Sequence, residues 1–161
     1  MDSNATGSQG RGQVRPWRWV TIAGRRWRVA GDPADSYFEW AASHARGMGE
    51  IHAVAAAILP PDGTGVALDI GANIGMAALV LGALAPAGRV VAVEPSPHIA
   101  ARLRETLSLN RMAERVAVEQ CAVSAAPGEA EFHVDSGHSA GSKLVDAGTM
   151  ACLRIWTDEL Q

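Results

Sequence analysis

The stretch Leu68-Asp69-Ile70-Gly71-Ala72-Asn73-Ile74-Gly75, followed by Val93-Glu94-Pro95, constrains this chain more than any other feature. An apolar run leads through a glycine-flanked turn into an Ala/Leu-rich run, and a second apolar run then ends in one acid. Strand, turn, helix and strand in that order form a βαβ unit, which sets the turn beside the end of the neighbouring strand. Gly71 and Gly75 permit a tight turn and let the helix N-terminus approach a ligand, whose polar groups its free backbone amides can bind. Glu94 stands where an acid accepts the two hydroxyls of a ribose in this architecture.

The flanking pattern extends the same layout. Val66 to Ile70 predicts a strand buried on both faces, Asn73 or Ile74 to Leu84 a helix, and Arg89 to Glu94 a second buried strand. Ser96 caps a helix that Pro97 opens and that runs to Leu109, with Asn110 at its C-terminal end. Arg115 to Val123 predicts a third strand. Two consecutive crossovers give an α/β fold, Rossmann-like, with a mainly parallel sheet between helical layers.

Upstream, Pro16 to Val29 predicts a hairpin around Ala23-Gly24 with its tryptophans on one face and its arginines in solvent. Ser36 to Arg46 reads as a helix broken by Gly47-Met48-Gly49, and Ile51 to Leu59 as an amphipathic helix stopped by Pro60-Pro61-Asp62-Gly63. Downstream, Glu129 to Val134 alternates like a half-exposed strand, Ser136 to Ser142 is a Gly/Ser loop, and Met150 to Trp156 reads as another strand. These signals divide the chain into a disordered tail over 1–13, a hairpin and helical extension over 14–49, and a ligand-binding domain over 50–161.

Composition narrows the class. With 161 residues, 48% of them hydrophobic, and a net charge of −3, an ordinary soluble domain is expected. No apolar run approaches the length of a membrane span, and Met1 to Gln13 lacks the apolar centre of a secretory signal. Cys121 and Cys152 make neither a disulfide framework nor a metal cluster, and Cys121 reads as a small buried hydrophobe. The five histidines have no zinc spacing, so no metal and a reducing cytoplasm are expected. Six arginines interleaved with Trp17, Trp19 and Trp27 between Arg11 and Arg28 raise nucleic-acid binding, but a solvated hairpin face is the better reading.

The spelling of the turn points to one cofactor. A dinucleotide site wants a third glycine where Met76 and Ala77 stand, and Asp69 would crowd a phosphate. An acid there favours a positively charged ligand end, so S-adenosylmethionine (ammonium, sulfonium, ribose and adenine, with no phosphate) fits better than NAD. Asp69 would reach the cationic group, with capping of the next helix as the alternative. Asn73 reads equally well as a ligand contact or as the helix N-cap or a left-handed turn residue. Glu119-Gln120-Cys121-Ala122 would flank the base.

Taken together, the Leu68–Gly75 turn, Val93-Glu94-Pro95-Ser96-Pro97, Leu107-Ser108-Leu109-Asn110, Ala122-Val123-Ser124 and Gly128-Glu129-Ala130-Glu131 resemble the FkbM family of S-adenosylmethionine-dependent methyltransferases, over about Glu50 to Gln161. The resemblance implies a Rossmann-like methyltransferase fold and O-methylation of a hydroxyl on a small metabolite, sugar or polyketide. It implies that Asp69, Gly71, Ala72, Asn73 and Gly75 line the methionine end of the cofactor. Glu94 and Pro95 would lie at its ribose, and Cys121 and Ala122 near its adenine. In that family a segment like Thr157-Asp158-Glu159-Leu160 is followed by a strand bearing a Lys-x-Asp-x-Glu-Gly stretch, which this sequence does not contain. The expectation is therefore a sheet lacking its C-terminal strands, with an open edge. A cofactor-binding remnant without turnover is the alternative function. Methyl transfer needs an aligned hydroxyl and a proton acceptor; His133, Asp135 and His138 are candidates, and none is assigned. The expected partner is a hydroxyl-bearing small molecule rather than a membrane or a nucleic acid. Acceptor identity and oligomeric state leave no mark in such a sequence, because acceptor pockets come from variable loops.

Overall fold

The computed structural model describes residues 16–123, 132, 133, 135 and 137–144. The predicted tail over 1–13 and strand over Met150 to Trp156 lie outside these residues.

The chain enters as a hairpin of β1 (Trp17–Ile22) and β2 (Arg25–Ala30), paired antiparallel from Trp17 opposite Ala30 to Ile22 opposite Arg25. Its turn has positive φ at both Ala23 and Gly24, 48° and 78°, which matches the twist of a two-residue hairpin. Val20, Ile22, Trp27 and Val29 face the core. The tryptophans do not share one face: Trp27 is buried, while Trp17 and Trp19 are 38% and 49% exposed. Arginines lie over them instead, with the Arg26 guanidinium 4.4 Å from the Trp19 ring. Strand alternation explains this, since Trp17 and Trp19 share one parity and Trp27 pairs with inward-facing Val20.

Asp35 caps the short helix α1 (Ser36–Glu39), its side chain accepting from the Tyr37 N–H. Helix α2 (Ala41–Ile58) then runs unbroken through Gly47-Met48-Gly49 and across the expected boundary near residue 50. The helical break falls at Trp40 instead. Glycines cost a helix only about 1 kcal/mol each, and packing of α2 on β1 outweighs that. Its buried residues are Ala41, Ala45 and Ala55, while Ile51, Val54 and Ile58 point outward.

β3 (Val66–Ile70), α3 (Met76–Leu84), β4 (Arg89–Val93), α4 (Pro97–Leu109) and β5 (Val116–Glu119) follow as two crossovers. The strands form a parallel three-stranded sheet in the order β3-β4-β5, with Leu68 opposite Val91 and Val91 opposite Ala117. β5 stops short of the predicted Val123, and α3 begins two residues later than the latest start the sequence suggests. Ser96 caps α4 as predicted, and Asn110 ends it. Asn110 also clasps the hairpin: its Oδ1 accepts from the Arg28 N–H at 3.0 Å, and its Nδ2 donates to the Arg28 carbonyl at 2.6 Å. The core joins hairpin, helices and sheet through Ile22, Phe38, Ile74, Met76, Leu79, Val90, Leu103, Leu107 and Val116. Two further short strands, β6 (Phe132–His133) and β7 (Lys143–Leu144), pair antiparallel around a 3₁₀ turn over Ser139–Gly141.

β3 departs from expectation. Val66, Leu68 and Ile70 are 57%, 43% and 57% exposed, so the strand is bare on one face, and among the described residues it pairs only with β4. Its apolar residues meet the demand of a second packed layer that these residues do not supply. The double replacement Leu68→Thr, Ile70→Thr is expected to leave thermal stability within about 1 kcal/mol and to reduce self-association. Light scattering after size exclusion reads the second effect; a stability loss of several kcal/mol would show that this face is packed. Among the described residues no helix is long and apolar enough to cross a membrane.

Candidate functional site

The turn between β3 and α3 is closed on itself. The Gly71 and Ala72 N–H groups both donate to the Val93 carbonyl, at 2.9 and 3.0 Å, locking the turn to the end of β4. Asn73 N–H donates to Glu94 Oε2 at 3.0 Å, Ile74 N–H to Asn73 Oδ1 at 2.7 Å, and Gly75 N–H to the Ala72 carbonyl at 2.9 Å. Every amide from Gly71 to Gly75 is therefore spent, so the turn itself supplies none of the free amides that the sequence suggests. A phosphate needs such donors. This turn offers none, and the side chains converging on it are carboxylates.

Three residues of the turn have positive φ: Gly71 at 76°, Asn73 at 48° and Gly75 at 94°. Asn73 is thus the left-handed turn residue, and Gly75 rather than Asn73 precedes the helix. The two glycines differ. A Cβ on Gly71 would meet no atom within 4 Å, so this side of the turn is open, as a ligand cradle requires. A Cβ on Gly75 would lie 2.6 Å from Leu103 Cδ1, because α4 packs directly under the turn. Gly75→Ala combines left-handed strain with overpacking and is expected to cost about 2–4 kcal/mol; chemical denaturation measures it, and a cost below 1 kcal/mol would contradict the packing described.

Glu94 is buried just beyond β4, its Oε1 accepting from the Ser96 N–H at 2.9 Å while Oε2 holds Asn73. Burial raises its pKa, and the two amides oppose that rise. Its carboxylate therefore joins the turn to the start of α4 with both oxygens fixed, each keeping a second lone pair. Asp69 takes a hydrogen bond from the Ala78 N–H in the first turn of α3. It thereby caps a helix whose N-cap glycine has no side chain to do so, the alternative reading of this residue. Its Oδ2 is buried and finds no partner among the described residues. Burial pushes the Asp69 pKa up to about 6, the Ala78 amide opposing the rise and the Glu94 charge adding to it. An orphaned buried carboxylate oxygen beside a second carboxylate invites a cation.

Pro95 separates Glu94 from its amide partner Ser96, and Cys121 and Ala122 follow β5, both half-buried rather than enclosed. The three parallel strand ends thus bring all nine sequence-predicted residues to one edge of the sheet.

Three residues that sequence reasoning missed complete this edge. Ser139 Oγ lies 3.1 Å from Asn73 Nδ2 and 3.2 Å from its Oδ1. Asp35 Oδ1 accepts from the Ser139 N–H at 3.0 Å. Tyr37 stacks on His44 with ring centroids 4.5 Å apart, and its pKa is raised by burial and by the charges of Asp69 and Asp35. The cap signal of Asp35 was readable, but its partner 104 residues away was not. Of the candidate bases, Asp135 Oδ1 accepts from the Gly137 and His138 amides, and His138 Nδ1 lies 2.9 Å from Ser36 Oγ. His133 belongs to β6, opposite Lys143. Among the described residues no cluster of His, Cys, Asp and Glu could hold a metal ion.

Residues 69–150 match the family model of the methyltransferase FkbM domain. The AMB antimetabolite synthetase AmbE of Pseudomonas aeruginosa is 38% identical over 97 residues, which is 60% of this chain and 4% of that protein. The chain thus spans a small part of the curated relative it matches. Among solved structures, mitomycin 7-O-methyltransferase MmcR overlaps with a TM-score of 0.44 at 26% identity, over 55% of this chain and 26% of that one. TYW2 of P. horikoshii, solved with MeSAdo, overlaps with a TM-score of 0.45 at 19% identity, over 70% and 39%. At that degree of overlap the fold assignment rests on the parallel sheet itself and on the family match.

Proposed function

The chain belongs to the FkbM methyltransferase family, and from that premise we propose that it binds S-adenosylmethionine and methylates a hydroxyl of a small metabolite, sugar or polyketide. The observation that carries the cofactor reading is the closed turn: five spent amides facing two carboxylates disfavour a phosphate and favour a cationic, phosphate-free ligand. S-adenosylmethionine supplies a sulfonium-borne methyl, an ammonium and a ribose. Asp69, Gly71, Ala72, Asn73 and Gly75 would hold its methionine end, with the open side of Gly71 as the seat. Glu94 and Pro95 would meet the ribose, the second lone pairs of Glu94 accepting its hydroxyl protons. Cys121 and Ala122 would flank the adenine. Asp135 already satisfies two backbone amides, so His138 is the better-placed proton acceptor of the three candidates. The antimetabolite synthetase among the relatives accords with a small-molecule acceptor, and the reading carries with it a cytoplasmic setting.

The test is turnover. The chain is incubated with S-adenosylmethionine and a set of sugars, catechols and hydroxy acids, each beside its hydroxyl-free analogue, and products are read by mass spectrometry. S-adenosylhomocysteine with a methyl ether, formed only with hydroxyl-bearing compounds, is expected. Methylated products from the hydroxyl-free analogues would overturn O-methylation. Tight binding of S-adenosylhomocysteine without turnover would favour the second reading, a cofactor-binding unit, for which the bare face of β3 is the supporting observation.

A further inference from the structure

A cavity of about 280 Å³ lies behind the turn, between the segment joining β2 to α1, the start of α4, and Asp135 and Ser139. None of Asp69, Gly71, Glu94, Cys121 or Ala122 lines it. It meets the candidate cofactor site through Ile74, through Asp35 and through Ser139, which bonds Asn73. Its size suits a small metabolite rather than a nucleotide.

The lining has three parts. Ile74 and Ile99 give it an apolar floor. Arg102 brings a side chain only 12% exposed, whose Nη1 reaches Glu105 at 3.3 Å while its buried Nε finds no partner among the described residues. A buried guanidinium donor without an acceptor is costly, and a small rotation of the side chain that brings it to an oxygen in the cavity would remove that cost. Asp32, Asp35 and Asp135 supply the third part, each spending one oxygen on its own backbone turn. Asp32 Oδ2 stands 3.8 Å from His98 Nε2. Because Arg102 is already answered by Glu105, the cavity is short of positive charge, while the guanidinium in its wall still has an unsatisfied donor.

A ligand that cures both deficits carries an ammonium and a carboxylate on one small aliphatic frame. We propose that this cavity is a binding site for a small aliphatic α-amino acid. Its carboxylate accepts from Arg102, its ammonium lies between Asp32 and Asp135, and its side chain rests on Ile74 and Ile99. Occupancy braces the turn from behind through Ile74 and the Ser139–Asn73 contact, so the site couples an amino acid to the loop that forms the cofactor seat. The proposal does not depend on the identity of the cofactor.

Isoleucine methyl NMR on the full chain tests it, with L-valine, isobutyrate and isobutylamine as probes. L-Valine is expected to shift the Ile74 and Ile99 methyls saturably and to leave Ile22, Ile51, Ile58 and Ile70 in place. Isobutylamine, which lacks the carboxylate, and isobutyrate, which lacks the ammonium-bearing carbon, are expected to bind at least tenfold more weakly, as is L-valine to Arg102→Met and Asp135→Asn. The analogue comparison uses the unaltered protein, so it stands even where a variant fails to fold. Absence of shifts at Ile74 and Ile99, shifts spread over the other isoleucines, or an analogue that binds as tightly as L-valine would each overturn the proposal. L-Valine binding undiminished in folded samples of both variants would do so as well.

Discussion

Asp69→Asn is expected to make the unliganded protein more stable and the cofactor complex weaker. Asp69 titrates at about 6 in the folded chain, against an ordinary aspartate value of 3.8. The folded state therefore holds this proton more tightly than the unfolded state, and deprotonation destabilises the fold. That penalty is fully present above about pH 6, shrinks as pH falls toward about 4, and is gone below that. The amide keeps an acceptor for the Ala78 N–H, and a new unpaired NH₂ offsets part of the gain. The net expectation at pH 7 to 8 is about 1–2 kcal/mol of added stability, or about 3–6 °C in the melting temperature. Melts across pH 4 to 8 should show the variant and the parent converging at the acid end. Affinity for S-adenosylhomocysteine should fall about tenfold or more, or about 1.4 kcal/mol. In the unaltered protein it should weaken as pH drops through about 6, because a bound cation favours the ionised carboxylate. A pH-independent affinity would remove Asp69 from the cation's surroundings.

Glu94→Gln carries the opposite sign in stability. Both carboxylate oxygens accept backbone amides, from Asn73 and from Ser96, in a buried position. Glutamine supplies one acceptor and turns an NH₂ group toward the other amide, so one buried donor loses its partner and meets another donor. A loss of about 2–3 kcal/mol follows, roughly 5–10 °C in the melting temperature. The turn that Glu94 ties to α4 should loosen with it, visible as faster exchange of the Asn73 amide. Affinity for S-adenosylhomocysteine should again fall at least tenfold. Two substitutions that move stability in opposite directions and binding in the same one separate recognition from mere folding. Unchanged stability in Glu94→Gln would mean that these amides are satisfied in some other way.

The legible parts of this molecule were the local ones. Ser96 and Pro97 announce α4, and Asn110 its end, because a cap acts within one helical turn. The hairpin turn at Ala23-Gly24 and the crossover order are equally local patterns. What escaped depends on distant partners. The amides of Gly71 and Ala72 look free in sequence and are consumed by the Val93 carbonyl on the next strand. Ser139 and Asp35 reach the turn from far along the chain, with no spacing to betray them. Periodicity reports that Val66, Leu68 and Ile70 are apolar, not what covers them, so the strand looked buried and stands bare on one face. The outward Ile51, Val54 and Ile58 on α2 repeat that lesson. Apolar residues mark a demand for packing, and only the surrounding chain meets it.

The most direct test of the central claim is a calorimetric titration of the folded 161-residue chain with S-adenosylhomocysteine, beside an equal titration with NAD. The closed turn and its two carboxylates predict micromolar binding of the first and at least a hundredfold weaker binding of the second, about 2.7 kcal/mol. A chain that is folded by its melting transition yet binds NAD as well as S-adenosylhomocysteine, or binds neither, would contradict the assignment of this site.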